Sequence, residues 1–474
     1  MGIANIVNTG YSGLVASKSG ISTTGHNIAN ANTEGYSRQK IVVETRNPRA
    51  GEGGRYAIGN GVNVVRVDRI NDSYLEKHLR NAQREIAYHE EKGMGLAQVE
   101  DIFNELGGDG INRLMSRFFN EFRKLANEPE NTALRESVRE ASQAMVNDFR
   151  SVRDRVKEVS KHIDSRIEGY TEEFNRACKD VADLNQEIKA MESVVGHAND
   201  LMDRRDQALK KLGSFCDIST FQDQNGVVQV DVKNVGPVVH GMTVRQLIAE
   251  RGSVVSSDEK QGLMQIRAEG SALNQITHQL KGGRLGALIE LRDLIGSRVL
   301  DRLDALAYGI TQAINGVHSQ GVNAQGETGV NYFKRLETQE RAAEFFDLSD
   351  EVKGDSRRIA TALEANAPGD NRIAVAISSL QYEKIIGEGQ STADDWFNSI
   401  VSDVGVASSR VRSAMNHQKD VVTQLSKIRD QISGVSIDEE SANLIQFQHT
   451  FDASAKVIQV ADEMLKTILQ LKRD

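Results

Sequence analysis

Proline is nearly absent: four in 474 residues, so long helices can run without interruption. Cysteine is as scarce. Cys178 and Cys216 form no CxxC pair, which excludes a disulfide framework or a cysteine zinc site and leaves inert structural thiols. Aromatic residues make up 5%, with a single Trp, too few for bulky aromatic cores throughout. There is no basic excess: 58 Lys and Arg stand against 67 Asp and Glu, a net charge of -9, so the electrostatic footprint of a nucleic-acid binder is missing. No run of 18 apolar residues occurs and mean hydropathy is -0.44, so no helix is expected to span a membrane. The first six residues carry no Lys or Arg and open no apolar run, which excludes a cleavable secretory signal, and Ile6 stands where myristoylation needs Ser or Thr. On these absences alone the chain reads as cytoplasmic.

Chemistry-bearing motifs are also missing. There is no GxxxxGK[ST], GxGxxG, GxSxG, HExxH or EF-hand loop, and His89-Glu90 is followed by Glu91-Lys92-Gly93, without a second metal ligand. The densest mixed-charge cluster, Asp200, Asp203, Arg204, Arg205 and Asp206, has the three- and four-residue spacing of surface ion pairs on a helix. His26 and His449 read as ordinary interface histidines. We therefore expect no catalytic residue, no cofactor and no metal.

What the chain does contain is helical periodicity, with length for about three domains. A heptad register runs through Ile3, Val7, Gly10, Leu14, Ser17, Ile21, Thr24 and Ile28. Only Lys18 is charged before Glu34, so this helix expects neighbours on several sides. A matching register closes the chain: Ile437, Leu444, Phe447, Phe451, Ser454, Ile458, Ala461, Leu465 and Ile468, with Glu440 as its polar exception. Six large apolar residues, Leu444, Phe447, Phe451, Ile458, Leu465 and Ile468, do not offset the conformational entropy of two ordered helices. The two ends are therefore predicted to pair as a coiled coil and to stay loosely ordered until other subunits surround them.

Between the ends, apolar residues from Leu134 to Val195 recur with a mean spacing of about 3.6, which predicts a nearly straight helix roughly 90 Å long with Gly169 as a bend or break. A second pattern from Trp396 to Ile432 is its expected antiparallel partner, and a third covers 283–318. Strands are expected in two places. Residues 41–43 and 62–67 flank a loop with Pro48, Gly51, Gly53 and Gly54, as in a long hairpin. Residues 227–232 follow an Asn225-Gly226 turn, and 263–268 supply a further strand. The fold class is thus mainly α with a small β insertion: an elongated, nested, multidomain rod. Residues 1–35 and 436–474 form its terminal coiled coil. Residues 36–214 and 284–435 form a long-helix bundle with a hairpin at 36–70, and 215–283 form a small outer β-rich domain.

The run from Ser22 to Gln39, with Asn27-Ile28-Ala29-Asn30, Thr33 and Gly35-Tyr36-Ser37-Arg38-Gln39, closely resembles the signature of flagellar rod, hook and hook-associated axial proteins. An Asn-rich helix end followed by a Gly turn suits a packed helix passing into an extended segment. Residues 197–206, 283–293 and 431–448 carry further resemblance to the hook-associated members that join hook to filament, so the likeness spans the chain. It implies that the terminal helices line the inner tube of an axial polymer, that the helical rod forms the next shell, and that the β-rich insertion faces outward. It also implies passage through the flagellar type III export apparatus without signal cleavage to an extracellular position. The implied partners are further copies of the chain, the hook protein, a second junction protein or the flagellin side of the filament, and an export chaperone on residues 444–469. No nucleic acid or membrane partner is expected. Within the family a hook or distal-rod protein is the alternative, and a cytoplasmic coiled-coil scaffold is the alternative outside it.

Overall fold

The computed structural model describes residues 2–47, 49–50, 57–104, 110–193, 196–223, 226–252, 262–270, 275–367 and 369–471. Pro48, Gly51, Gly53, Gly54, Val195 and Asn225, used in the expectations above, lie outside them. Helix accounts for 67% of the chain and strands for a few small antiparallel sheets, which bears out the mainly α reading.

Helix α1 (Gly2–Ala29) leads into strands β1 (Gln39–Thr45), β2 (Arg49–Ala50), β3 (Ala57–Ile58) and β4 (Val62–Arg69). β1 pairs with β4 and β2 with β3, and the β1–β4 register slips at Val42/Val43. Four helices follow: α2 (Ser73–Asn104), α3 (Ile111–Asn127), α4 (Thr132–Glu192) and α5 (Asn199–Gly213). The β insertion holds β5 (Ile218–Gln222), β6 (Val228–Val232), β7 (Gly236–His240), β8 (Thr243–Val244), β9 (Leu247–Arg251) and β10 (Met264–Ala268). The chain then returns through α6 (Gly283–Leu294), α7 (Asp301–His318), α8 (Ala342–Phe345), α9 (Asp350–Gly354), α10 (Arg372–Ser379), α11 (Ala393–Ser433) and α12 (Ile437–Leu471).

α4 starts where Asn131 caps it, accepting from the amides of Ala133 and Leu134, and then runs 61 residues. Gly169 neither ends nor breaks it, since the apolar stripe continues through Ile167 and Phe174 on either side. The second long pattern, α11, packs chiefly on α2 rather than on α4 as expected. The reason is that the α4 stripe is already covered, by α3 over one part and by α5, α6 and the β insertion over another. The third pattern is two helices, α6 and α7, joined by a π-helical turn at Ile295–Leu300. That turn falls in the one five-residue gap of its apolar spacing, between Leu294 and Val299.

β5 to β8 form a meander, and Val228, Val230 and Val232 of β6 face inward. Two asparagines of α4 dock the insertion. Asn185 donates to the carbonyls of Val228 (2.8 Å) and Gly241 (2.9 Å), and Asn175 exchanges two bonds with Leu247. The scarce aromatics gather elsewhere: Phe118, Phe122, Tyr332 and Phe333 meet at centroid distances from 4.9 to 6.1 Å, under the irregular segment between α7 and α11. Buried polar groups hold that segment in place of a ladder. Asp304 accepts from the amides of Ala343 (2.9 Å) and Arg341 (3.2 Å), and Arg135 donates to the carbonyls of Ile359 and Pro129 and to Thr361. His318 donates from Nδ1 to the Val330 carbonyl (2.7 Å) and accepts the Ala360 amide at Nε2 (2.8 Å), so it is a neutral imidazole.

Gly283 has φ +59, and a Cβ there would lie 2.5 to 2.7 Å from backbone atoms of residues 214–216. Gly283→Ala should therefore destabilise by about 2–4 kcal/mol in urea unfolding, whereas Gly169→Ala, in open helix, should stabilise by about 0.5–1 kcal/mol. Burial, the largest cause, lowers the His318 pKa to about 4. The unfolded chain then takes up a proton near pH 6.5 that the folded chain refuses. Stability present above that pH should fall by about 3 kcal/mol on acidification to pH 4, and His318→Gln should flatten the slope.

Candidate assembly interface

α1 and α12 lie antiparallel, and small residues set their contact line. A Cβ on Gly10 would come within 2.9 Å of Ile458, one on Gly13 within 2.7 Å of Ser454, and one on Gly20 within 2.6 Å of Phe447. Gly10, Ser12, Ser17, Gly20, Thr24 and Asn27 are the buried positions of α1. The aliphatic register residues Ile3, Val7, Leu14, Ile21 and Ile28 flank that line and are half-buried. Across from them Leu444, Phe447, Phe451 and Ile458 are also half-buried, while Leu465 (46% exposed) and Ile468 (54% exposed) are left open. The β1–β4 ribbon is tied to α1 through Ser12, whose hydroxyl donates to the Thr9 carbonyl and accepts the Val62 amide.

The end of this pair nearest the body is closed by a polar network built from the Asn-rich run. Asn27, 1% exposed, satisfies all its hydrogen-bonding capacity. Its Nδ2 donates to the Gln39 carbonyl (2.9 Å) and to Glu440 Oε2 (2.9 Å), and its Oδ1 accepts from the Tyr36 hydroxyl (2.8 Å) and the Gln39 amide (3.0 Å). Glu440, 2% exposed, binds Arg38 through Oε1 (2.8 Å from Nε), and Arg38 also reaches Glu439 (2.9 Å). Burial, then the nearby carboxylates Asp200, Asp203 and Glu440, raises the pKa of Tyr36, which keeps its hydroxyl a donor. His26 Nδ1 lies 3.0 Å from the same hydroxyl.

The remaining motif residues shape the turn that brings Tyr36 back. Ile28 and Ala29 complete the last turn of α1, and Asn30 caps it by donating to the His26 carbonyl (3.0 Å). The Thr33 amide donates to the Asn30 carbonyl (2.9 Å) and the Tyr36 amide to the Thr33 carbonyl (3.2 Å). Gly35 has φ +80, a backbone conformation that favours glycine, and a Cβ there would push the Gln207 side chain aside. The Ser37 amide donates to Asp203 Oδ2 (2.9 Å).

Asp203 belongs to the cluster expected to form surface ion pairs, and here the structure corrects the expectation. Asp203 and Arg205 are buried. Asp203 also binds Arg69 of β4 (2.9 Å), which reaches Asp206 as well (2.6 Å), and Arg205 donates to Asn185 and to the Gly226 carbonyl. The spacing of these charges is that of helix-face pairs, but their partners come from distant segments. Burial raises the pKa of Asp203 against the lowering effect of Ser37 and Arg69. His449, on the outer side of α12, is exposed. Arg38, Arg69 and Glu440 were not among the expected interface residues; the one signal in the sequence was a lone carboxylate inside an apolar register.

With Asn27 fully paired and Glu440 bound to Arg38 and Asn27, the network holds α1, α12 and the segment after α1 together. Among the described residues no group of three or more His, Cys, Asp or Glu is arranged to hold a metal ion, and no helix is long and apolar enough to cross a membrane.

A family model described as the flagellar hook-associated protein FlgK helical domain matches residues 96–333, half of the chain. The chain belongs to the FlgK family of flagellar hook-associated proteins. A second model, the C-terminal region of flagellar basal body rod FlgEFG proteins, matches residues 430–471, the end of α11 and α12. Flagellar hook-associated protein 1 of Bacillus subtilis is 26% identical over 98% of this chain and 97% of its own length. The Salmonella typhimurium protein of that name is 25% identical over 99% of this chain and 100% of its own. That alignment extends over 566 positions, so the Salmonella protein carries insertions that this chain lacks. The flagellar hook junction protein FlgK from Burkholderia pseudomallei superposes with a TM-score of 0.66 at 15% identity, covering 75% of this chain and all of that one, which establishes a shared fold. The family is structural rather than enzymatic, and this chain is a component of the flagellum.

Glu440→Gln removes the buried counterion of Arg38 and should ease opening of the junction by about 3 kcal/mol. Native-state hydrogen exchange should then run roughly a hundredfold faster at the amides of Arg38 and Gln39, and unchanged exchange would show that the network clamps nothing.

Proposed function

We propose that this chain forms the junction between hook and filament, polymerising through its terminal helices after export by the flagellar type III apparatus without cleavage. The observation that carries the proposal is the apolar surface that the α1–α12 pair leaves uncovered. Ile6, Tyr11 and Val15 on one helix, and Ile445, Val457, Val460, Met464, Leu465, Ile468 and Leu469 on the other, are all exposed. So many exposed apolar side chains on one helix pair in water call for a cover. In the assembled state we assign that cover to further copies of the chain, with hook protein on one side and a second junction protein or flagellin on the other. Before export we assign it to a chaperone on residues 444–469.

On this reading residues 1–35 with 436–474 are the inner, assembly-ordered part, 36–214 with 284–435 the helical body, and 215–283 an outward-facing β unit. Ile3, Val7, Leu14, Ile21, Ile28, Leu444, Phe447, Phe451, Ile458, Leu465 and Ile468 are its interface residues. The match over 96–333 favours the hook-associated assignment over a hook or distal-rod protein, because the match over 430–471 is to rod proteins and separates nothing.

The test is placement in a strain that lacks the chain. A tagged copy should form a band where hook meets filament. Leu444→Asp with Phe451→Asp should abolish the band at least tenfold while the purified variant keeps its helical content and cooperative unfolding. Normal filaments carrying the double variant would defeat the terminal-helix mechanism.

A further inference from the structure

Charge is separated along the body. α3 buries Leu114, Phe118, Phe122 and Leu125 and carries Arg113, Arg117, Arg123 and Lys124 on its other side, with Glu121 its only acid. Lys124 pairs with Glu121 (2.7 Å), Arg123 donates to Gln381 and stacks 5.6 Å over the Tyr382 ring, and Arg117 forms no ion pair among the described residues. In a chain of net charge -9 this is a concentrated cationic face.

The complement lies farther along α4. Between Ile167 and Ile188 the surface of that helix carries Glu168, Glu172, Glu173, Asp180, Asp183 and Glu187 against Arg176 and Lys179. None of these side chains forms an ion pair within the described chain. At about 100° per residue the six carboxylates share one sector of the helix about 140° wide, which also holds Arg176 and Lys179 and so carries an acidic excess of about four charges.

The two faces are displaced both along and around α4. α3 reaches α4 at Ser142, whose hydroxyl meets Tyr332 beneath Phe118 and Phe122. From Ser142 to Asp180 the helix rises about 57 Å, and at about 100° per residue Ser142 points roughly opposite to the acidic sector. A cationic face on one flank and an anionic face on the other, at different heights, cannot satisfy each other within one molecule. They are complementary between molecules, in the face-to-unlike-face arrangement that generates open or ring polymers.

We infer that copies of this chain pack side by side with the cationic face of α3 in one set against the acidic strip of α4 in the next, offset by about 50–60 Å along the rod. The inference rests on the proposal that the chain polymerises, and it names a contact in the helical body separate from the terminal seam. Opposed arrays of this sort fix register and exclude wrong offsets more than they add affinity.

The experiment is a charge exchange in a strain lacking the chain, reading the tagged protein retained in sheared flagella. Arg117→Glu with Lys124→Glu should lower incorporation about tenfold, and so should Glu172→Lys with Asp183→Lys. All four together should return it to within about twofold of the unsubstituted level, since both faces are then inverted. Unchanged incorporation by either pair, or a fourfold variant no better than the pairs, overturns the contact while the unsubstituted band still supports the junction reading. Absence of that band overturns both. As a second measurement, Asn120→Cys with Gln186→Cys should give a ladder of multimers with a short bis-maleimide in assembled flagella. Cys178 and Cys216 are buried and do not compete. No ladder would likewise count against the contact.

Discussion

One buried carboxylate organises the place where the two ends of the chain meet the body. Glu440 lies 402 residues from Arg38 and 413 from Asn27 in sequence, and all three sit in a single hydrogen-bonded group. A carboxylate taken out of water is costly unless its partners are in place. The arrangement of α1, α12 and β1 is therefore specified more sharply here than the flanking aliphatic contacts alone would fix it. Asn27 connects the parts, because its amide reads the backbone of Gln39 as well as the acid. From there the group extends through Tyr36 and Ser37 to Asp203 and Arg69, so that α1, α12, the ribbon and α5 meet at one corner.

Periodicity made the helices legible and left their partners illegible. The stripe of α4 shows which side is buried, since Phe149, Val156, Ile167 and Phe174 recur at helical spacing. A stripe carries no label for what covers it, which is why α11 was assigned to α4 when it lies on α2. The inward valines of β6 were visible for the same reason of period, here two. The segment between α7 and α11 offered no period to read. Its backbone is satisfied one group at a time by His318, Asp304 and Arg135, and such pairings leave no repeat in a sequence.

At the interface the sequence showed the chemistry of the run from Asn27 to Ser37 and missed its geometry. That a Gly turn follows a helix end was readable. That the backbone at Gly35 turns to φ +80 against the Gln207 side chain was not. The register of α1 runs through Gly10, Ser17 and Thr24 but passes over Gly13 and Gly20, and it does not show that small residues let the helices approach. Small residues are quiet in a hydrophobicity pattern, yet they decide how near two helices come. The charges from Asp200 to Asp206 were conspicuous for the opposite reason, and their role is to bind β4 and the segment after α1 rather than one another.

The antiparallel course of α1 and α12 has a mechanical consequence. The first turns of α1 lie beside the far portion of α12, and the two helices join the body at the opposite end. A force drawing the first residues sideways off α12 loads the contacts in sequence, Ile458 against Gly10 before Phe447 against Gly20, so the pair then peels like tape. Resistance is concentrated at the last contact, the Asn27 corner. Drawn off in that direction, α1 gives up its glycine contacts one by one and is held last by the four hydrogen bonds of Asn27.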